Sequence, residues 1–161
     1  MSEKELYILK WIQKVSEIRP ELNGFAICPF ASHSKYKIIE CSVKDINILN
    51  DYDVIIYIVE DHLNLNEIDD WVKYYNSIHT DWKFFEDCES YDTFIHEIQT
   101  NNGRYNLILG QPIKKLQKFR KKLAKTSYYD LWSEEYLKEI LQDDYKILER
   151  DSNPVKSSDF Q

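Results

Sequence analysis

Three groups of residues carry side chains whose types and spacing could do chemistry. The first is Cys28 in "NGFAICPFASHSK", residues 23–35, with His33 five positions on. If Pro29 opens a helical turn, Cys28 is its N-cap, where unpaired N–H groups and the helix dipole favour an anion. A thiolate gains from that position, and His33 could act as its base. The competing reading is structural. Phe25, Ala26, Ile27 and Phe30 make the surroundings apolar, which raises a thiol's pKa and suits a buried, inert cysteine.

The second group is acidic. Glu60-Asp61-His62 and Glu86-Asp87-Cys88 each follow an apolar run. At the carboxyl ends of neighbouring parallel strands they would face one crevice, where carboxylates with an imidazole or thiolate hold a metal or share a proton. The plainer reading is that they end strands and cap the following helices. No complete ligand motif accompanies them, "HEIQT" lacks the second His of a zinc protease motif, and no metal is assigned.

The third group is basic. "IKKLQKFRKKLAK" places seven Lys or Arg between Lys114 and Lys125. On a helical wheel Ile113, Leu116, Phe119 and Leu123 share one side, and most basic residues lie opposite. Lys114, Lys115, Lys118, Lys121 and Lys122 thus form a candidate face for an acidic protein or a small anion. Lys114 and Lys115 oppose the helix dipole, a penalty that a bound anion would remove. A solvated helix paired with acidic neighbours is the plainer account. Gly110-Gln111-Pro112 is no phosphate loop, because Pro112 has no N–H to offer.

The elements that must position these residues follow from periodicity. Leu6, Leu9, Ile12, Val15 and Ile18 predict an amphipathic first helix ended by Pro20. "YKIIECSV" and "DVIIYIVE" read as strands, with a hairpin turn in "NILNDYD". Leu65, Ile68, Trp71 or Val72, Tyr75 and Ile78 mark a second helix, and "DWKFFED" a third strand. Ser90 is a natural N-cap for a helix through Tyr91, Phe94, Ile95 and Ile98, and "YNLILG" is a fourth strand. Pro112 opens the basic helix, and Ser133 caps a last one through Leu141. Tyr128, Tyr129 and Trp132 lie between those two helices and are expected to pack on the sheet or line a cleft.

The expectation is a single α/β domain over residues 1–149. Its four-stranded mixed sheet has flanking helices, strands two to four parallel through crossovers, and the first strand antiparallel at an edge. Residues 150–161 have the composition of a flexible tail. A chain of 161 residues, 43% hydrophobic and 14% aromatic, supports one such core. The net charge of −7 argues against nucleic acid and anionic membranes as partners. No run of eighteen apolar residues and no basic-then-apolar leader is present, and three cysteines at wide spacing suit reduced thiols, so a cytoplasmic protein is expected. Nineteen Ile against three Ala is the usage of an A/T-rich genome, bacterial or viral.

Trp11 in "KWIQKV", followed by Cys28-Pro29-Phe30-Ala31, resembles the start of an uncharacterised bacterial family of unknown function. That family's signature is a Trp-containing helix and then Leu-Cys-Pro-Phe-Ala, with Ile27 standing here in place of Leu. The resemblance implies that Cys28 belongs to a recurring motif, and it assigns no cofactor. Two functional expectations follow. One is a thiol-dependent enzyme or factor using Cys28, with His33 as partner. The other is a non-enzymatic module that docks an acidic partner or anion through residues 112–125.

Overall fold

The computed structural model describes residues 1–148, so the expected tail at 150–161 lies outside the described residues. Helix α1 spans Glu3–Ser16, and its N-cap Ser2 accepts the Glu5 N–H at 3.1 Å. Glu3 and Glu5 in the first turn and Lys14 in the last complement the helix dipole. The buried stripe is Ile8, Ile12 and Val15, rotated from the expected one. Leu6 is exposed, and Ile18 lies beyond the helix end, because α1 stops at Ser16, ahead of Pro20.

Four six-residue strands form the main sheet: β1 (Tyr36–Cys41), β2 (Val54–Val59), β3 (Trp82–Asp87) and, later in the chain, β6 (Leu107–Pro112). Their spatial order is β1-β2-β6-β3. β1 pairs with β2 in parallel, and β6 runs antiparallel to both β2 and β3. Three strands therefore share one direction, as expected, but they are the first three. The reversed strand is the last, and it sits inside the sheet. No hairpin joins β1 to β2. The intervening segment carries a 3-10 turn, Val43–Asp45, and buries Val43 and Ile46 as it crosses over. Those two apolar anchors hold the connection against the sheet, where a hairpin loop would have left them in water.

Between β2 and β3, helix α2 (Leu65–Ile78) begins with a capping box in which Asn64 and Glu67 satisfy each other's backbone N–H groups. Its Ile68, Val72 and Tyr75 cover one sheet face, meeting Ile55, Tyr57, Phe84 and Ile108. The opposite face, with Ile56, Ile58 and Leu107, receives Ile8 and Ile12 of α1. Every residue of β2 after Val54 is buried, as expected of a β-branched run covered on both sides.

The helix expected from Ser90 to Ile98 is a small hairpin, β4 (Phe94–Ile95) with β5 (Ile98–Gln99). Side-chain bonding overrides the helical pattern here. Thr100 N–H donates to Thr93 O at 2.8 Å, Asn101 accepts the Thr93 N–H at 3.0 Å, and the Asp92 carboxylate accepts amides from Gln99 and Asn101. Alternation then buries Ile95 and leaves Phe94 exposed. Helix α3 spans Ile113–Ala124, with Pro112 one position earlier than expected, at the N-cap. Helix α4 (Glu134–Leu141) starts at Ser133, whose hydroxyl accepts the Tyr136 N–H at 3.2 Å. Leu123, Tyr128, Tyr129, Leu137 and Leu141 close a further cluster around Phe25.

Candidate functional site

A cavity of about 580 Å³ lies on the α1 side of the sheet. Its floor is Ile56, Leu109 and Phe85, side chains that strand alternation turns away from α2. Trp11, Ile12 and Val15 of α1 form one wall, Cys28 and Phe30 another, and Leu116 and Arg120 of α3 a third. Tyr128, Trp132 and Tyr136 close it from the C-terminal side. Phe85 and Glu86 both line it, although they project to opposite sides of β3, so the space reaches around that edge strand.

Cys28 stands in this wall, half-buried. Its N–H donates to Val15 O at 2.9 Å and its carbonyl accepts the Ala31 N–H at 3.2 Å, which ties the turn to the end of α1. The expected N-cap placement is corrected. The 3-10 turn is only Ala31–His33, and Phe30 is its N-cap. Burial pushes the Cys28 thiol up, and N–H groups of Ala31 and Phe30 offset this only in part. At neutral pH the thiol is protonated. Of the expected pair, only Cys28 lines the cavity. His33 is exposed, and its ring lies 6.4 Å from that of Phe119.

The two acidic triplets do not meet as one crevice. β2 and β3 point the same way, but β6 lies between them. Asp61 serves the crossover, accepting the Val43 N–H at 2.7 Å and the Ser42 hydroxyl. Asp87 instead faces the cavity, where its carboxylate accepts the Asn102 N–H at 3.1 Å and the Asn102 side-chain amide at 3.0 Å. Burial pushes its pKa up to about 6 against those two donors. Glu86 is also raised, first by burial and then by Asp69 and Glu139, and it shares a hydrogen bond with Asp69. Cys88 is buried beside the Ser90 hydroxyl, and His62 is exposed. Among the described residues no group of three or more His, Cys, Asp or Glu is placed to hold a metal ion.

Lys114, Lys115, Lys118, Lys121 and Lys122 occupy the exposed side of α3 as expected, and Lys115 pairs with Asp53. Arg120 is the exception among the basic residues. It is 5% exposed and donates to Asp144 at 3.0 Å and to Ile140 O at 3.1 Å, with its guanidinium 5.6 Å from the Phe85 ring centre. Its role was readable on the wheel, since position 120 falls between Leu116 and Ile113 on the apolar side. Tyr136 and Glu139 were not anticipated, and no local pattern marks them.

Tyr128 links the walls. Its hydroxyl donates to Ile27 O at 2.6 Å and accepts from Trp132, whose indole stacks on Tyr136 with ring centres 4.5 Å apart. The expectation that these aromatics line a cleft holds for Tyr128 and Trp132, while Tyr129 is buried in the C-terminal cluster. Compared with known proteins, the chain matches no family, no curated protein and no solved structure. The motif resemblance rests on Trp11 and residues 28–31 alone. No described helix is long and apolar enough to cross a membrane.

Proposed function

We propose that this protein binds a small organic molecule in the cavity between the sheet, α1, α3 and α4, with Cys28 in the wall. The observation that carries this reading is a space of about 580 Å³, floored by Ile56, Leu109 and Phe85, walled by the stacked rings of Trp132 and Tyr136, and carrying charged side chains such as Asp87 and Arg120 on an otherwise largely apolar lining. Binding sites for small molecules have this size and this mixture of apolar wall and sparse polar points. Trp11 and residues 28–31, which carry the motif, contribute Trp11, Cys28, Phe30 and Ala31 to the wall, so the motif shapes the site. Cys28 acts as a protonated contact and weak donor.

A thiol-dependent reaction is the second reading, favoured by the exposure of Cys28 to that same space. Its nucleophile would have to be generated by the ligand, because the resting thiol is held up by burial. The lysine face of α3 supports docking of an acidic partner less well, since one of its members already pairs with Asp53 and it stands apart from the cavity.

The test uses N-phenyl-1-naphthylamine, a neutral probe that fluoresces in apolar surroundings, with the native protein and with Leu109→Trp, which fills the floor. Saturable binding by the native chain, lost in a variant that melts cooperatively, is expected. Equal binding by both, or none by the native chain, would discard the reading.

A further inference from the structure

The charges around the cavity are one-sided. Asp69, Glu86, Asp87 and Glu139 line it against a single cation, Arg120. That guanidinium is already engaged by Asp144, the Ile140 carbonyl and the Phe85 ring. Lys73 is exposed, bound to Asp69 at 2.8 Å, and interacts electrostatically with Glu86. Among the described residues, Glu86, Asp87 and Glu139 enter no ion pair. Glu139 and Asp87 both act electrostatically on Tyr136, so the carboxylates gather near the aromatic wall. An anion entering here meets carboxylates that outnumber the cations of the lining. A cation meets carboxylates beside the aromatic side chains of Trp132 and Tyr136, and aromatic rings attract positive charge at their faces.

We propose that the occupant is a hydrophobic cation: an aryl or alkyl body carrying a quaternary or protonated amine, its charge at the Glu86 and Glu139 end and its body against Leu109 and Trp132. This rests on the ligand-site reading and narrows it. Burial holds the Glu86 carboxyl up, and a cation beside it would favour its ionised form.

Three probes of similar size separate the possibilities: benzyltrimethylammonium, its neutral isostere neopentylbenzene, and phenylacetate. Affinities come from chemical-shift titration, with the Trp132 indole N–H reporting occupancy of the cavity. The cation is expected to bind at least about tenfold more tightly than the isostere, with phenylacetate weakest. In the Glu86→Gln/Glu139→Gln double variant that preference should fall to about twofold, with neopentylbenzene affinity unchanged as evidence of an intact fold. Neutral or anionic probe bound as tightly as the cation overturns the cation assignment and leaves the cavity reading standing. So does a cation preference that survives the double substitution. No binding by any of the three removes both.

Discussion

Cys28 and Asp87 show how burial, rather than residue type, sets the chemistry of a side chain. In each an apolar environment raises the pKa and so favours the protonated form, and in each case backbone or amide donors offset that only in part. For Cys28 the consequence is slow alkylation. In a Cys41→Ser/Cys88→Ser background, iodoacetamide at about pH 7.5 should label it roughly tenfold more slowly than a free thiol, with the rate still climbing at alkaline pH where a free thiol's has levelled off. Labelling as fast as a free thiol would reinstate an activated thiolate. For Asp87 the consequence is a pH dependence of stability. Its folded pKa of about 6 exceeds the ordinary value of 3.8, so the folded state binds the proton more tightly. Its contribution is therefore greatest below about pH 4 and is lost as pH rises through about 6, by at most about 2–3 kcal/mol. Glu86 is shifted in the same direction, and Asp53, lowered by Lys115, in the opposite one. Urea midpoints measured from about pH 4 to pH 7 should fall less steeply in Asp87→Asn than in the parent. An identical slope would show that Asp87 titrates normally.

At the scale of elements, the β4–β5 hairpin and helix α3 each hold one residue against its ordinary preference. His96, the first of two residues between β4 and β5, has φ of 52°, in the left-handed region that favours glycine. His96→Gly should therefore raise the unfolding free energy by up to about 1 kcal/mol, read from urea melts, whereas His96→Val should lower it. Arg120 is a charge placed within an apolar stripe, and Asp144 makes that placement possible. Arg120→Ala strands Asp144 beside α3 and leaves the Ile140 carbonyl without this donor, so a loss of about 3 kcal/mol is expected. Arg120→Lys should recover little of it, since an ammonium cannot reproduce the forked contacts made here. Full recovery by lysine would reduce the contact to a simple charge pair.

The whole molecule is closed by its C-terminal segment, because Tyr128 and Trp132 join the Cys28 turn to α4 across the cavity mouth. Trp132→Ala removes the stack on Tyr136 and should cost about 2–3 kcal/mol in unfolding experiments, less than for a fully buried Trp. If the variant melts like the parent but no longer binds the naphthylamine probe, Trp132 is a recognition residue with no part in closure. Local pattern sufficed for much of this architecture. The β-branched run at 54–59, the Ser133 cap and the lysine-rich face of α3 are set by propensities and periods that act over a few residues, so they are legible in the chain alone. The same is true of the Cys-Pro-Phe-Ala turn as a feature to watch. Other features depend on contacts between residues far apart in the chain. The direction of β6 and its insertion between β2 and β3 follow from pairing across about fifty residues to β2 and about twenty to thirty to β3, and a short apolar strand carries no mark of its orientation. The stretch from Ser90 to Ile98 satisfies a helical pattern, but Thr93, Thr100 and Asn101 bond across it and make it a hairpin. The cavity belongs wholly to this second kind. Cys28, Asp87, Arg120 and Trp132 come from four separate parts of the chain, and the space they enclose, with the burial that governs their charges, exists only once the sheet, α1, α3 and α4 have packed.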